Sequence, residues 1–482
     1  MLAWQTPRGL PNGDAALYAQ QAMALDFGER TVHIGYYALV AALTGFASDV
    51  PDRVFNLLSV LGACATMALI SILTAQATGR RDLGFAAGFS LLGSYVFVRN
   101  AVWAEIYIFQ ALFFVLACWL FWRGVSARAG VSLALSVLIS PSMLLGVPAL
   151  IVGRPRVKAI VVLGAVGGGL VLACLAFVWR DFFLGPRGLF GAAGASAGLA
   201  AGLIKEAFEV IYGVGFLVPF ALAGAHRGLR SPWWRIYLVG ILLLWLPTFL
   251  LAEKFADVPV QLPTWILLAP VLGLGLGAAE AGLESRGPKA RRWLLAAGAA
   301  SASLPLAAVP WVARRAQTFA ALSADSLALL WTFFALTAGG AVIVAARRPQ
   351  LAVRVLFISG TAIGAALSGL LVAQLNHSIN SYRSTILALK EEVRVDYLTV
   401  GTWEQGVLAE HYAERKSYTG RSVLAGDLEA SQPSQAWRRV RSAMDRGHEI
   451  WLFQQIPALE AELGDRGWSI RQLGRARVAK PP

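Results

Sequence analysis

The chain has 482 residues, is 57% hydrophobic and only 15% charged, and carries a formal net charge of +14. Soluble domains are about 45–50% apolar and about 25% charged, so a soluble enzyme, a disordered chain and a disulfide scaffold are excluded. The composition predicts a mainly α, polytopic helical membrane protein.

Charge divides the chain. Residues 1–376 hold 27 basic and 15 acidic side chains, whereas residues 377–482 hold 15 and 13. The shift predicts a transmembrane domain over 1–376, a boundary near 375–381, and a small extramembrane α/β domain over 377–482. Cys64, Cys118 and Cys174 each sit in an apolar run, which suits neither a disulfide framework nor a metal cluster.

In chain order, residues 1–10 lack the apolar core of a cleavable signal peptide. Pro11-Asn12-Gly13-Asp14 forms a turn with Asp14 as a helix N-cap candidate, and Tyr18 follows one helical turn later. His33-Ile34-Gly35-Tyr36-Tyr37 opens an apolar run too short to span, followed by Asp49 and Asp52, which predicts a helix lying along the surface. Arg53-Val54-Phe55-Asn56-Leu57-Leu58-Ser59 begins the first full span. A crossing helix needs about 20 apolar residues. Spans are predicted at 54–76, 83–99, 106–122, 159–179, 209–224, 236–252, 262–283, 293–312, 326–346 and 351–372.

The run at 130–152 differs. Ser140-Pro141-Ser142 interrupts it, and basic residues flank both ends: Arg123 and Arg128 before it, Arg154, Arg156 and Lys158 after it. A single crossing should carry such clusters at one end only. The expectation is a hairpin of two short helices with both ends cytoplasmic. The loops at 79–82, 123–128, 154–158, 226–235, 284–292 and 347–354 then hold 17 basic and two acidic residues, and the opposite set holds ten and twelve. This places the first set in the cytoplasm and the C-terminal domain outside, as in a bacterial-type inner membrane. The surplus positive charge serves topology and anionic lipid, with no role for nucleic acid. An outside N-terminus with no helix before it leads to the expectation of an upstream helix missing from this chain.

In the tail, strands are expected at 393–400, 449–454 and 468–473, and helices at 405–414, 435–446 and 457–466. Gly447 and Gly467 serve as helix stops.

The span cores are almost free of charge, with Glu280 and Arg354 near cytoplasmic ends. That argues against an ion or substrate path through the bilayer. The polar residues gather at the outer face instead. Asp14 reads either as a helix cap or as a carboxylate that takes a proton from an acceptor hydroxyl. His33 reads as a hydrogen-bonded structural residue or as a ligand. Arg53 is an interfacial anchor or a phosphate contact. In the short outer turn Arg99-Asn100-Ala101-Val102-Trp103-Ala104-Glu105-Ile106-Tyr107, an aromatic belt explains the rings but not Glu105, which is either a helix-terminus charge or a site residue.

In this order, Pro11 with Gly13-Asp14, His33-Ile34-Gly35-Tyr36, Arg53 to Ser59, and Ala104-Glu105-Ile106-Tyr107 resemble the motifs of polytopic GT-C glycosyltransferases, in particular the branch related to protein O-mannosyltransferases. The resemblance covers roughly residues 11–150, and Lys254-Phe255-Ala256-Asp257 with Pro263 is similar to a later family stretch. Two features differ: relatives have a helix before the Gly-Asp loop, and their hairpin tip often carries Lys or His where this chain has Ser140-Pro141-Ser142.

The resemblance implies transfer of a sugar from a polyprenyl-phosphate donor to an acceptor on the outer face, with inversion. It makes Asp14 the base, with Glu105 and His33 positioning Asp14, the acceptor or a divalent cation. Tyr18, Arg53, Asn56, Arg99, Tyr107, Arg187 and Lys254 would bind substrate, Arg180 is a further cation for the phosphate, and the Gly/Ala-rich stretch 188–202 would cover the donor. The partners are the lipid-linked sugar, the bilayer and an acceptor protein, glycan or lipid. A non-catalytic scaffold of envelope glycan assembly and a lipid-linked glycan flippase are the alternative classes.

Overall fold

A computed structural model describes residues 2, 6–7, 10, 13–24, 33–47, 50–151, 157–184, 215–250, 262–315, 324–392, 396–401, 403–413, 423–425, 428 and 435–482. Two short helices, α1 (Gly13–Ala24) and α2 (Ile34–Leu43), precede the first long one, α3 (Asp52–Thr78). Then come α4 (Arg81–Ser90), a 3-10 turn (Leu91–Gly93), α5 (Tyr95–Val102), α6 (Ile106–Trp122) and α7 (Ser126–Ile139). A 3-10 segment (Pro141–Gly146) leads into α8 (Val147–Leu150). The bundle continues with α9 (Val157–Leu184), α10 (Val218–Leu229), α11 (Pro232–Leu250), α12 (Leu262–Glu284), α13 (Pro288–Arg315), α14 (Ala324–Val344) and α15 (Pro349–Glu392).

Among the described residues, α3, α9, α12 and α15 are each long and apolar enough to cross a membrane. The pair α4–α5 makes a fifth crossing if counted as one, and this corrects the straight span expected at 83–99: the two parts meet at a 77° bend. The cause is local. The Ser94 hydroxyl accepts the Phe97 N–H at 3.3 Å, capping a new helix start within the apolar run. Of the span expected at 209–224, residues 209–214 lie outside the described set, and the rest is a 3-10 turn (Gly215–Leu217) leading into α10, which runs on to Leu229. The span expected at 351–372 lies within α15, a helix of 44 residues that continues through 375–381 without a break. At 1.5 Å per residue it is about 66 Å long, roughly twice the hydrocarbon thickness.

The run expected at 130–152 reverses as a hairpin over residues 126–150, with a second limb of a 3-10 segment and a four-residue helix in place of a second regular helix. α7 runs antiparallel to α6, with the Ser132 and Ser136 hydroxyls donating to the carbonyls of Phe113 and Gln110 at 2.8 Å each. The chain reverses at Ser140-Pro141, and the Trp122 indole then donates to the Leu150 carbonyl at 3.1 Å. Both ends of the hairpin therefore sit level with the end of α6. Gly130, near the start of α7, packs against Leu163 and Gly167 of α9 so closely that an added Cβ would lie 2.9 Å from the Leu163 oxygen.

Among the described residues, the loops 79–82, 284–292 and 347–354 of the group set apart by charge meet at one end of the bundle. Arg80 reaches Asp82 at 2.6 Å and Glu280 at 2.7 Å, while Arg354 reaches Glu280 at 2.6 Å and Asp82 at 2.7 Å. Arg291 donates to the Ala346 carbonyl at 3.4 Å, and Gln350 bonds Glu284. Trp122 packs against Trp233 with ring centroids 4.8 Å apart, bringing in the 226–235 loop. The polar outer motifs lie at the other end.

The C-terminal domain comprises β1 (Tyr397–Gly401), α16 (Trp403–Ala413), β2 (Val423–Leu424), α17 (Gln435–Asp445), β3 (Glu449–Leu452), α18 (Pro457–Asp465), β4 (Ser469–Leu473) and β5 (Ala476–Lys480). The sheet order is β2-β1-β3-β5-β4, with β1 parallel to β2 and β3, and β5 antiparallel to β3 and β4. Alternation along the strands splits the sheet into two faces. Tyr397, Trp451 and Val478 join the bundle's apolar core, while Leu398, Ile450 and Ala479 join a second core with Trp437, Val440, Leu459 and Leu463. Gly447 and Gly467 follow the helices α17 and α18 with φ of 69° and 72°, the left-handed conformation that ends a helix.

Candidate functional site

The site is assembled by the start of α3. Asn56, fully buried, donates from Nδ2 to the Pro7 carbonyl at 3.2 Å and accepts the Ala104 N–H on Oδ1 at 2.9 Å. One side chain thus holds the N-terminal segment and the Trp103-Ala104-Glu105 turn together. A primary amide suits this place because it offers a donor and an acceptor at once. The turn is tied again by Trp103, whose indole donates to Asn376 at 3.0 Å, and Arg99 lies 4.6 Å above the Trp103 ring.

Glu105 occupies the N-cap position of α6, yet its side chain makes no capping hydrogen bond. It is 3% exposed. A buried carboxylate that does not cap its own helix is not there to start the helix; its neighbours explain it better. One of them is Tyr36, which is 1% exposed. Burial, with Glu105 and then Tyr37 adding, holds the Tyr36 phenol well above its ordinary range.

Tyr18 is the hub of the aromatic group. Its ring centroid lies 5.5 Å from that of His33, 5.8 Å from Tyr36 and 6.3 Å from Tyr37. His33 Nδ1 is 2.7 Å from the Ile139 carbonyl at the hairpin tip. A carbonyl only accepts, so Nδ1 carries the proton. Gly35 lets α2 approach that tip: an added Cβ would meet the Leu138 and Ile139 backbone at 3.0 Å. At the tip itself, Gln110 donates to the Ser140 carbonyl at 3.3 Å and to the Ser142 hydroxyl at 2.9 Å.

Asp14 lies in the first turn of α1, not at its cap, because the helix already begins at Gly13. Its side chain falls outside the described residues, and Tyr18, one turn on, marks where α1 meets the group. The structure therefore brings together Tyr18, His33, Asn56 and Glu105. Arg53 is exposed beside Asp52, and Tyr107 is half-buried in the first turn of α6. Arg187, Lys254, Asp257 and the stretch 188–202 lie outside the described residues, as does the Arg180 side chain. Among the described residues, no group of three or more His, Cys, Asp or Glu side chains is gathered to hold a metal ion.

No family model matches the chain, and no curated protein matches its sequence. Its structure is similar to that of ArnT from Cupriavidus metallidurans bound to undecaprenyl phosphate. The TM-score is 0.60 at 14% identity, over 98% of this chain and 94% of that one. Against the same protein in the apo state it is 0.57 at 13% identity, over the same shares. The fold is that of a GT-C membrane protein. It is a multi-pass, helix-built architecture that runs through the C-terminal domain as well as the bundle.

Sequence reasoning named Tyr36 as part of a motif without seeing that it lies within the field of the Glu105 carboxylate. It also missed three residues that close the GT-C fold at this end: Asp52, His411 and Tyr412. Asp52 was visible as an acidic flank of a span. His411 and Tyr412 carried no signal, because their partners at Leu10, Gln20 and Asp52 lie hundreds of positions away.

Proposed function

We propose that the chain is a membrane glycosyltransferase that moves a sugar from a polyprenyl-phosphate donor to an acceptor hydroxyl on the outer face. The observation that carries this reading is the gathering of Tyr18, His33, Asn56 and Glu105 at one end of a fold shared with a protein that binds undecaprenyl phosphate. A lipid-linked sugar needs an apolar bundle for its tail and a polar site at one membrane face. At the other end Glu280, the one acidic residue within a span core there among the described residues, is paired with Arg80 and Arg354, which suits a one-face site better than a flippase path.

In this reading Asp14 is the base. It takes the proton of the acceptor hydroxyl as that oxygen attacks the anomeric carbon, the bond from that carbon to the phosphate oxygen breaks, and polyprenyl phosphate leaves with the electron pair. Attack opposite the leaving group inverts the anomeric centre. Glu105 and His33 position Asp14 and the acceptor, and Arg53, Arg99, Arg187 and Lys254 are the cations for the phosphate. The kinship with the O-mannosyltransferase branch rests on the motifs, and the outward orientation rests on the loop charges.

The test is transfer by the purified protein in proteoliposomes carrying a radiolabelled polyprenyl-phosphate sugar, with a panel of glycan, lipid and peptide acceptors. Label should leave the lipid fraction in a protein-dependent way. Donor that stays intact across the panel while the protein remains folded would favour the scaffold.

A further inference from the structure

We infer that His411 and Tyr412 of the C-terminal domain are positioning residues of this site, locking through Asp52 the segment that carries Asp14. The inference rests on the proposed role of Asp14 as base.

The lock is a chain of hydrogen bonds. The Leu10 N–H donates to the Tyr412 hydroxyl at 2.7 Å in a buried setting. Asp52 lies beside that hydroxyl, and burial together with the Asp52 charge keeps the phenol protonated. His411 Nε2 stands 3.0 Å from Asp52 Oδ1, and its Nδ1 stands 3.3 Å from Gln20 Nε2. The Gln20 nitrogen only donates, so Nδ1 accepts and Nε2 carries the proton that Asp52 accepts. A neutral imidazole satisfies both partners. The Arg383 guanidinium lies 5.5 Å over the Tyr412 ring and completes the charged surroundings.

The contacts straddle the proposed base: Leu10 lies four residues before Asp14 and Gln20 six after it. Asp52 is itself four residues before Asn56 in α3, so the two side chains share one helix face. One helical turn therefore receives the C-terminal domain on Asp52, and the N-terminal segment and the Glu105 turn on Asn56. A domain that only covered the membrane face would not need to satisfy a buried N–H of the loop leading to Asp14. Leu408, Ala409 and Tyr412 share the apolar core with Leu10, Ala15 and Ala19, so α16 packs on α1 with no boundary between them.

The test uses the full chain in nanodiscs, with Tyr412→Phe and His411→Leu. Tyr412→Phe keeps the ring and removes the hydroxyl that accepts the Leu10 N–H beside Asp52. Amides at Leu10 and along α1 should exchange with deuterium about tenfold faster in both variants, because an opening needs one hydrogen bond fewer. Protection of the C-terminal strands should stay unchanged, showing that the variants are folded. Transfer should show a kcat about tenfold lower at unchanged donor KM, since the base is displaced while the donor site is intact. His411→Gln, whose amide nitrogen reaches the place of Nε2, should recover most of that loss. Unchanged exchange in both variants would overturn the lock. Faster exchange with full kcat would overturn the positioning role. If the unsubstituted protein transfers no sugar, the proposed reaction fails on its own, and the exchange comparison alone decides the lock.

Discussion

His33 and Ile139, more than a hundred residues apart in sequence, are joined by a hydrogen bond of 2.7 Å between the imidazole Nδ1 and the backbone carbonyl. The bond fastens the surface helix α2 to the tip of the hairpin, and Gly35 makes it reachable. Gly35→Ala should push a methyl into the Leu138–Ile139 backbone at 3.0 Å. Overpacking of this kind costs about 1–3 kcal/mol. A thermal melt of the detergent-solubilised protein should show the drop, and a wild-type melt would mean that α2 does not depend on this approach.

Asn56→Ala should be the most destabilising polar substitution at the site end. It leaves the Ala104 N–H and the Pro7 carbonyl without their shared partner, at about 1–3 kcal/mol for each buried group. Asn56→Asp keeps an acceptor for Ala104 but loses the donor to Pro7, so its melt should fall between the two.

The opposite end should respond in stability and not in transfer. Glu280 is 3% exposed and binds both Arg80 and Arg354, whose side chains are 40% exposed. Glu280→Gln should destabilise by about 2 kcal/mol, less than for a fully buried pair, because both guanidinium groups can turn to water. Sugar transfer should be unchanged at temperatures where the variant is folded. A selective loss of transfer would tie this end of the bundle to the reaction.

Orientation is tested by labelling in a background free of Cys64, Cys118 and Cys174. Ala461→Cys, exposed on α18, should react with an impermeant maleimide from outside intact cells, and Gly287→Cys should not. The reverse pattern would turn the proposed site to the cytoplasm.

Much of the fold was legible in local pattern. Apolar runs located α3, α6, α9 and α12 within a few residues, and the loop charges foretold which loops meet around Glu280. The hairpin was legible because Ser140-Pro141 breaks an apolar run between two basic flanks. The bend at Ser94 was not, since a hydroxyl inside an apolar stretch reads the same whether it caps a helix or faces a neighbour. β5 was missed because Ala476-Arg477-Val478-Ala479-Lys480 is short and lies at the chain's end, and it becomes a strand only between β3 and β4. The site was half legible. Tyr18, His33, Asn56 and Glu105 of its motifs come together, but motif spacing carries no information on Tyr36 lying near Glu105 or on Tyr412 reaching Leu10. Those are long-range contacts that only tertiary packing creates.

The most direct measurement is sugar transfer by Asp14→Asn in proteoliposomes, beside binding of the polyprenyl-phosphate donor. Asparagine keeps the size of aspartate and much of its compatibility with a first helical turn but cannot take a proton. Transfer should fall by about 10² to 10⁴, the range for loss of a general base, with donor binding and the thermal melt unchanged. Full transfer by a folded Asp14→Asn protein would contradict the account.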